Sequence, residues 1–138
     1  MPLILLVGTE LPLLEGVSQS LGALGFTPIV AQSLHEAREL AAHEPPLVTV
    51  VSRRLADESS AEMLSIPLAP GGAFVLYGGA STSAVSLSPA VQRSVLADLT
   101  LPLERNRLLA LVQHVRDRAL ATGRGRDDDM HGDMHPPG

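Results

Sequence analysis

Short apolar runs alternate with amphipathic stretches along most of the chain. Residues 3–7, 26–30, 47–51 and 73–77 are almost entirely apolar or β-branched, and residues 98–101 form a shorter candidate strand. Runs of this length without polar alternation are typical of strands that are buried on both faces of a sheet. The pattern therefore predicts five strands, with the third, at 47–51, in a central position.

Between these runs, apolar residues recur at helical spacing. One stripe in residues 11–24 and another in 103–121 predict amphipathic helices, the second ending at Gly123. Ser33 followed by Glu36 predicts a capping box at the start of a third helix. Weaker signals predict a helix near 59–65 and a short helix that Pro89 opens.

Strands that alternate with helices predict an α/β fold: a (βα)5, doubly wound, five-stranded parallel sheet of the flavodoxin-like or receiver-like type. Residues 1–122 are predicted to form this domain. Residues 123–138 are charged and small, and they are predicted to form a disordered tail rich in Asp, His and Met. His131 and His135 of this tail suggest weak binding of a transition metal, and a merely solubilising role is the alternative.

Composition excludes several functions. The net charge is -5, and the chain has one Tyr, two Phe and no Trp, which argues against nucleic-acid binding. All ten basic residues are Arg, so lysine chemistry is excluded, and the absence of Cys excludes thiolate chemistry. The apolar start is too short to span a membrane, so a cytoplasmic protein is expected.

Four stretches of the sequence resemble the receiver domain of two-component response regulators. They are LILLVGTELPLLEGVSQSLGALGF, LVTVVSRRLAD, FVLYGGA and ADLTLPLERNRLLALV, and the resemblance extends over residues 2–121. It implies phosphoryl transfer to an aspartate at the end of the third strand. Two acidic residues after the first strand would bind Mg²⁺, with a Thr or Ser after the fourth strand and a Lys after the fifth.

The residues of this chain at those positions are different. The acidic pair corresponds to Gly8 and Thr9, with Glu10 one step further, and the acceptor corresponds to Ser52. The hydroxyl position falls on Gly78 and the lysine position on Leu101, which precedes a proline that is cis in the family. One carboxylate is a poor Mg²⁺ site. The resemblance therefore implies a pseudo-receiver without enzymatic activity, metal or cofactor, which acts independently of phosphorylation.

The predicted role is that of a signalling adaptor or scaffold that binds a protein partner or a second copy of itself. The family pairs through the fourth helix, fifth strand and fifth helix, and this face is the expected interface. Predicted partner-binding residues are arginines and one leucine: Arg53, Arg54, Arg93, Leu101, Arg105 and Arg107. For Arg53 and Arg54 the alternative is a solvated loop in which they pair with Asp57 or Glu58.

Two other functions stay open from the sequence. One is a ligand-sensing or enzymatic flavodoxin-like domain with a pocket near Thr9, Glu10, Ser52 and Tyr77. The other is residual phosphorylation that uses Glu10 with a different acceptor.

Overall fold

A computed structural model describes residues 2–78 and 89–134, with side chains up to residue 121. Five parallel strands form one sheet in the order β2-β1-β3-β4-β5. The strands are β1 (Leu3–Val7), β2 (Thr27–Ala31), β3 (Val48–Ser52), β4 (Ala73–Gly78) and β5 (Val95–Thr100). The predicted (βα)5 fold and the central position of the third strand are confirmed.

Six helices lie between and after these strands in the described residues. They are α1 (Leu11–Ala23), α2 (Leu34–His43), α3 (Arg53–Glu58), α4 (Ser60–Leu64), α5 (Pro89–Ser94) and α6 (Arg105–Met134). None of the helices among these residues has an apolar stretch that would cross a bilayer.

The sheet is covered on both faces, as its apolar strands require. On one face Leu6, Val50 and Leu99 pack with residues of α1 and α6, and on the other face Leu5, Val51 and Leu76 pack with residues of α2 to α5. Thr49, on β3, is fully buried, and its hydroxyl finds no hydrogen-bond partner among the described residues.

The helix ends follow the sequence in part. The Ser33 hydroxyl accepts a hydrogen bond from the amide of Glu36 at 3.1 Å, as predicted. The Glu36 carboxylate, however, accepts from the amide of Gln32 at 2.7 Å rather than from Ser33. Helix α6 continues past Gly123 to Met134, although the added segment contains three glycines and each glycine weakens a helix by about 1 kcal/mol. The domain boundary at residue 122 stays a prediction, and residues 135–138, with His135, lie outside the described residues.

The segment after β3 differs from its prediction. The alternative that placed Arg53 and Arg54 in a solvated loop is wrong, because they form the first turn of α3. The strand itself ends at Ser52, one residue later than predicted. The arginines therefore project from the end of a central strand, where they can reach neighbouring strands.

Candidate functional site

The residues that the sequence predicted as a degenerate pocket lie together at the carboxyl-terminal ends of the strands. Gly8 follows β1, Ser52 ends β3, Gly78 ends β4 and Leu101 follows β5. We call this region, together with Thr9 and Glu10, the rim. The carboxyl ends of parallel strands lie on one side of the sheet, and open α/β sheets ordinarily bind ligands there.

Tyr77 fills the part of the rim between β1 and β4. Its hydroxyl donates a hydrogen bond to Oε1 of Glu10 at 2.7 Å, and the side chain is almost fully buried at 2% exposure. A Cβ at Gly8 would overlap the Tyr77 hydroxyl and would lie 3.1 Å from Cζ of the same ring. Only glycine at position 8 therefore leaves the space that the tyrosine occupies.

The Tyr77 hydroxyl stays protonated in this environment. Burial raises the pKa of Tyr77 well above its ordinary value, because a phenolate loses hydration there, and the hydrogen bond to Glu10 raises the pKa further. The neighbouring Ser52 side chain and the charge of Arg54 act in the opposite direction with smaller effect. Tyr77 therefore serves as a hydrogen-bond donor at the rim and not as a base.

Arg53 covers the end of β4. Its Nη2 and Nε atoms donate to Oδ1 of Asp98 on β5 at 2.6 Å and 3.1 Å. The guanidinium lies against Gly78, where a Cβ would come within 2.8 Å of Nη1. Arg53 thus reaches from β3 across β4 to β5, and only 12% of its side chain is exposed.

Arg54 points to the other side, toward the β1–α1 loop. Its Nη2 lies 3.3 Å from the Thr9 hydroxyl and 3.6 Å from Oε2 of Glu10. The side chain is 66% exposed, so solvent screens this pair. The alternative, in which the two arginines pair with Asp57 or Glu58, is wrong, because their carboxylate partners are Asp98 and Glu10.

Comparisons with known proteins identify the fold. No family model matches the sequence, and no curated protein matches it. A solved structure of NtrX from Brucella abortus is similar over 92% of this chain, with 17% identity and a TM-score of 0.67. This chain spans 29% of that NtrX chain.

Two other solved structures are similar along nearly their whole length. A CheY-like response regulator receiver domain protein from Methanospirillum hungatei matches 88% of this chain and 98% of its own, with 19% identity and a TM-score of 0.67. The NtrC4 receiver domain, solved as a beryllofluoride-activated dimer, matches 86% and 99%, with 19% identity and a TM-score of 0.64. This chain has the receiver-domain fold.

The receiver fold permits a test of whether the rim suits the Mg²⁺ that the resemblance implied. The ion needs several oxygen ligands. Glu10 supplies the single carboxylate next to β1, and it already accepts the Tyr77 hydroxyl and lies near Arg54. No group of three or more His, Asp or Glu that would suit a metal occurs among the residues whose side chains are described. The rim does not fit the ion.

The pocket that the sequence suggested for a small ligand is filled at this receiver rim. Ser52 is 6% exposed and Tyr77 2% exposed, so neither lines an open cavity. A cavity of about 590 Å³ lies instead at the amino-terminal ends of the strands, beside the start of β4 and β5.

Leu101 differs from its predicted role at the surface. Its side chain is 1% exposed and belongs to the core with Leu99 and Leu108, so it is not accessible to a partner. The peptide bond between Leu101 and Pro102 is cis, as the resemblance implied. Leu101, at the position where the resemblance implied a lysine, is therefore a core residue.

The remaining predicted partner residues separate into two places. Arg105 and Arg107 are exposed in the first turn of α6, beside the rim. Arg93 is exposed at the end of α5, next to the opposite edge of the sheet. The six-residue strand β5 lies between them and spans about 15 to 20 Å.

Two residues matter more than the sequence indicated. Asp98 is the partner of Arg53, a contact that no local sequence pattern indicated. Leu103 is 77% exposed, whereas Leu99 and Leu101 before it are buried in alternation along the chain. A turn after β5 breaks that alternation at Leu101, and Leu103 then faces solvent.

Proposed function

We propose that this domain is a cytoplasmic, non-enzymatic signalling adaptor that acts without phosphorylation and binds a protein partner or a second copy of itself. The observation that carries the proposal is the Tyr77–Glu10 hydrogen bond above Gly8. This bond lies beside Gly8 and Thr9, the positions to which the resemblance assigned the metal-binding acidic pair.

The proposal that phosphorylation is absent rests on three features of the rim. Ser52 stands at the acceptor position, and its side chain neighbours the protonated Tyr77 hydroxyl, which cannot act as a base to activate it. Gly78 has no hydroxyl for a phosphoryl oxygen, and Arg53 is held by Asp98. The three features together leave neither an acceptor carboxylate nor a hydroxyl after β4 for a transferred phosphoryl group, and the mostly buried arginine of the rim is already paired.

The proposed interface is the exposed surface around the start of α6, which we call the α6 surface and define as Leu103, Glu104, Arg105 and Arg107. Leu103 supplies an apolar anchor, and Arg105 makes no ion pair with any described residue. Arg107 pairs with Glu104 at 2.9 Å but keeps 62% of its side chain exposed. An apolar centre with arginines around it suits a partner that presents an apolar residue beside acidic ones.

Self-association is a reasonable form of this interaction. The NtrC4 receiver domain was solved as a dimer, and its fold matches this chain. The chain itself carries 15 acidic residues, so a second copy offers the required charge. Sedimentation velocity across a concentration series would measure this directly.

The first test addresses phosphorylation. The protein is incubated with acetyl phosphate and Mg²⁺, next to an ordinary receiver domain as a positive control for the donor. Intact mass spectrometry should show no phosphoryl adduct on this chain. A stoichiometric adduct on Ser52 or Glu10 would overturn the proposal.

The second test addresses the α6 surface. R105E/R107E and L103S should each weaken dimerisation, or capture of a partner, by about tenfold or more, because they remove the charge and the apolar anchor. R38E is the matched control, since Arg38 is an exposed arginine on α2. If R38E and the α6 variants behave alike, this surface is not the interface.

A further inference from the structure

We propose that the cavity at the amino-terminal ends of the strands, opposite the rim, binds a small anion that carries an apolar group, such as an aryl carboxylate or a phosphate monoester. We call it the basal cavity. Its lining includes Gly71, Phe74, Arg93, Val95, Val115 and Arg118. It is separate from the rim and from the α6 surface, so the inference does not depend on the adaptor role.

The basal cavity has the size of a ligand site. Its volume is about 590 Å³, which lies within the range of pockets that hold small organic molecules. Phe74 and Val115 form a buried apolar floor at 6% and 5% exposure. Such a floor can bury the apolar part of a ligand, and each CH₂ group that leaves water adds to the affinity.

The charge of the cavity has one sign. Arg93 comes from α5 and Arg118 from α6, and none of the described residues that line the cavity is acidic. Neither arginine forms an ion pair with any residue whose side chain the structure describes. Two guanidinium groups without carboxylates are unusual in a chain of net charge -5, and they attract a carboxylate or phosphate group.

The arginines at the rim give the contrast within the same molecule. Arg53 and Arg54 each lie beside a carboxylate that the chain supplies, Asp98 and Glu10 respectively. At the basal cavity none of the described side chains supplies a carboxylate. We expect an anion from solution to provide the counter-charge there.

One wall of the basal cavity is preformed. Gly71 has a φ of 79°, which favours glycine, and a Cβ there would lie 3.3 Å from Cβ of Ala119 on α6. The amide of Gly72 donates to the carbonyl of Ala69 at 2.8 Å, and the amide of Ala69 donates to the carbonyl of Pro46 at 2.8 Å. The turn is thus fixed on both sides, so binding does not require it to become ordered.

Ser94 adds a polar group to the lining. Its hydroxyl donates to the carbonyl of Ala90 at 2.8 Å, which leaves its oxygen free to accept. A phosphate monoester that keeps one proton can donate to this oxygen, whereas a carboxylate cannot. We therefore expect a monoester to bind at least as well as a carboxylate of the same size.

Phenylphosphate is the probe for the test, and its binding is followed by amide chemical shifts of the full chain. Saturable shifts are expected at Gly71, Gly72, Ser94 and Val95. Benzyl alcohol, which is neutral, and inorganic phosphate, which has no apolar group, should each bind at least tenfold more weakly. Benzoate serves as the carboxylate arm of the comparison.

Matched variants locate the site. R93Q and R118Q should each weaken phenylphosphate binding by about fivefold or more, since each removes a charge-assisted hydrogen bond. R38Q removes an equal charge from α2 and should leave the affinity unchanged. Thermal melting of all three variants confirms that they are folded, because exposed arginines on helices tolerate this change.

Two results would overturn the inference. One is an absence of saturable shifts near the basal cavity up to millimolar phenylphosphate. The other is equal binding by R93Q, R118Q and R38Q, which would show that the probe senses only the overall charge of the protein.

Discussion

The hydroxyl oxygen of Tyr77 lies 2.7 Å from Oε1 of Glu10, directly above a glycine that has no room for a side chain. A residue of β4 thereby bonds to the loop after β1, across the intervening strand β3. The contact stabilises the rim in one arrangement, and it can be tested by adding single methyl groups.

G8A should destabilise the protein by about 1–3 kcal/mol, because a Cβ at this position overlaps the Tyr77 hydroxyl and the core must shift. Urea unfolding measures the difference. In a Y77F background the penalty should be smaller, since the overlapping atom is gone. An equal penalty in both backgrounds would contradict the described packing.

Gly16 provides the matched control for G8A. It lies inside α1, and a Cβ there would meet nothing within 4 Å. G16A should therefore stabilise the protein by about 0.5–1 kcal/mol through the better helix propensity of alanine. The two glycine-to-alanine changes should have opposite signs in the same unfolding assay.

The Arg53–Asp98 pair should contribute measurably to stability. Arg53 is mostly buried and donates two hydrogen bonds to one carboxylate oxygen, so D98N should cost about 1–2 kcal/mol. R54Q is the control, because its ion pair is exposed and 3.6 Å long, and we expect a change below about 0.5 kcal/mol. Equal effects of D98N and R54Q in urea unfolding would show that the bridge is not formed.

Acid should remove a contribution made by Glu104. The pKa of this carboxyl is lowered, first by the hydrogen bond from the Thr100 amide and then by Arg107. A lowered folded-state pKa gives stability that is complete above the unfolded value of 4.5 and is lost as the pH falls through the folded value.

E104Q tests this pH dependence. The variant should be less stable than the wild type at pH 7, and the difference should shrink as the pH falls below about 4.5. Unfolding midpoints at several pH values between 7 and 3 supply the measurement. A difference that does not change with pH would mean that Glu104 acts only through its shape.

T49V should stabilise the protein by about 1 kcal/mol. The Thr49 hydroxyl is fully buried, and within the described part of the chain it has no hydrogen-bond partner, so its desolvation is uncompensated. Valine has nearly the same shape and suits a central strand. Destabilisation in thermal or urea unfolding would indicate that the hydroxyl has a partner after all.

The sequence predicted the fold well because aliphatic runs leave few alternatives to buried strands. Leu3–Val7 was placed correctly at both ends, and Ser33 was recognised as a helix cap from its own chemistry. Helix α3 was missed, because six residues with two adjacent arginines show no amphipathic period. Helix α3 begins at Arg53, directly after β3 ends at Ser52.

The candidate site was predictable in its position but not in its contacts. Gly8, Ser52 and Gly78 meet at the rim because parallel strands end together. The bonds of Tyr77 to Glu10 and of Arg53 to Asp98 join residues that are 67 and 45 positions apart. Such pairs depend on strand order and side-chain reach, and neither follows from local pattern. The one sequence signal for these contacts was the pair of glycines, Gly8 and Gly78, which leave room for the side chains of Tyr77 and Arg53.

The ion pair between Arg53 and Asp98 affects how the sheet can unfold locally. β5 is an edge strand and pairs only with β4, so fraying would ordinarily begin there. By anchoring Asp98 to the end of β3, the guanidinium ties that edge to the middle of the sheet. Arg53 therefore restrains β5 against separation from the rest of the sheet.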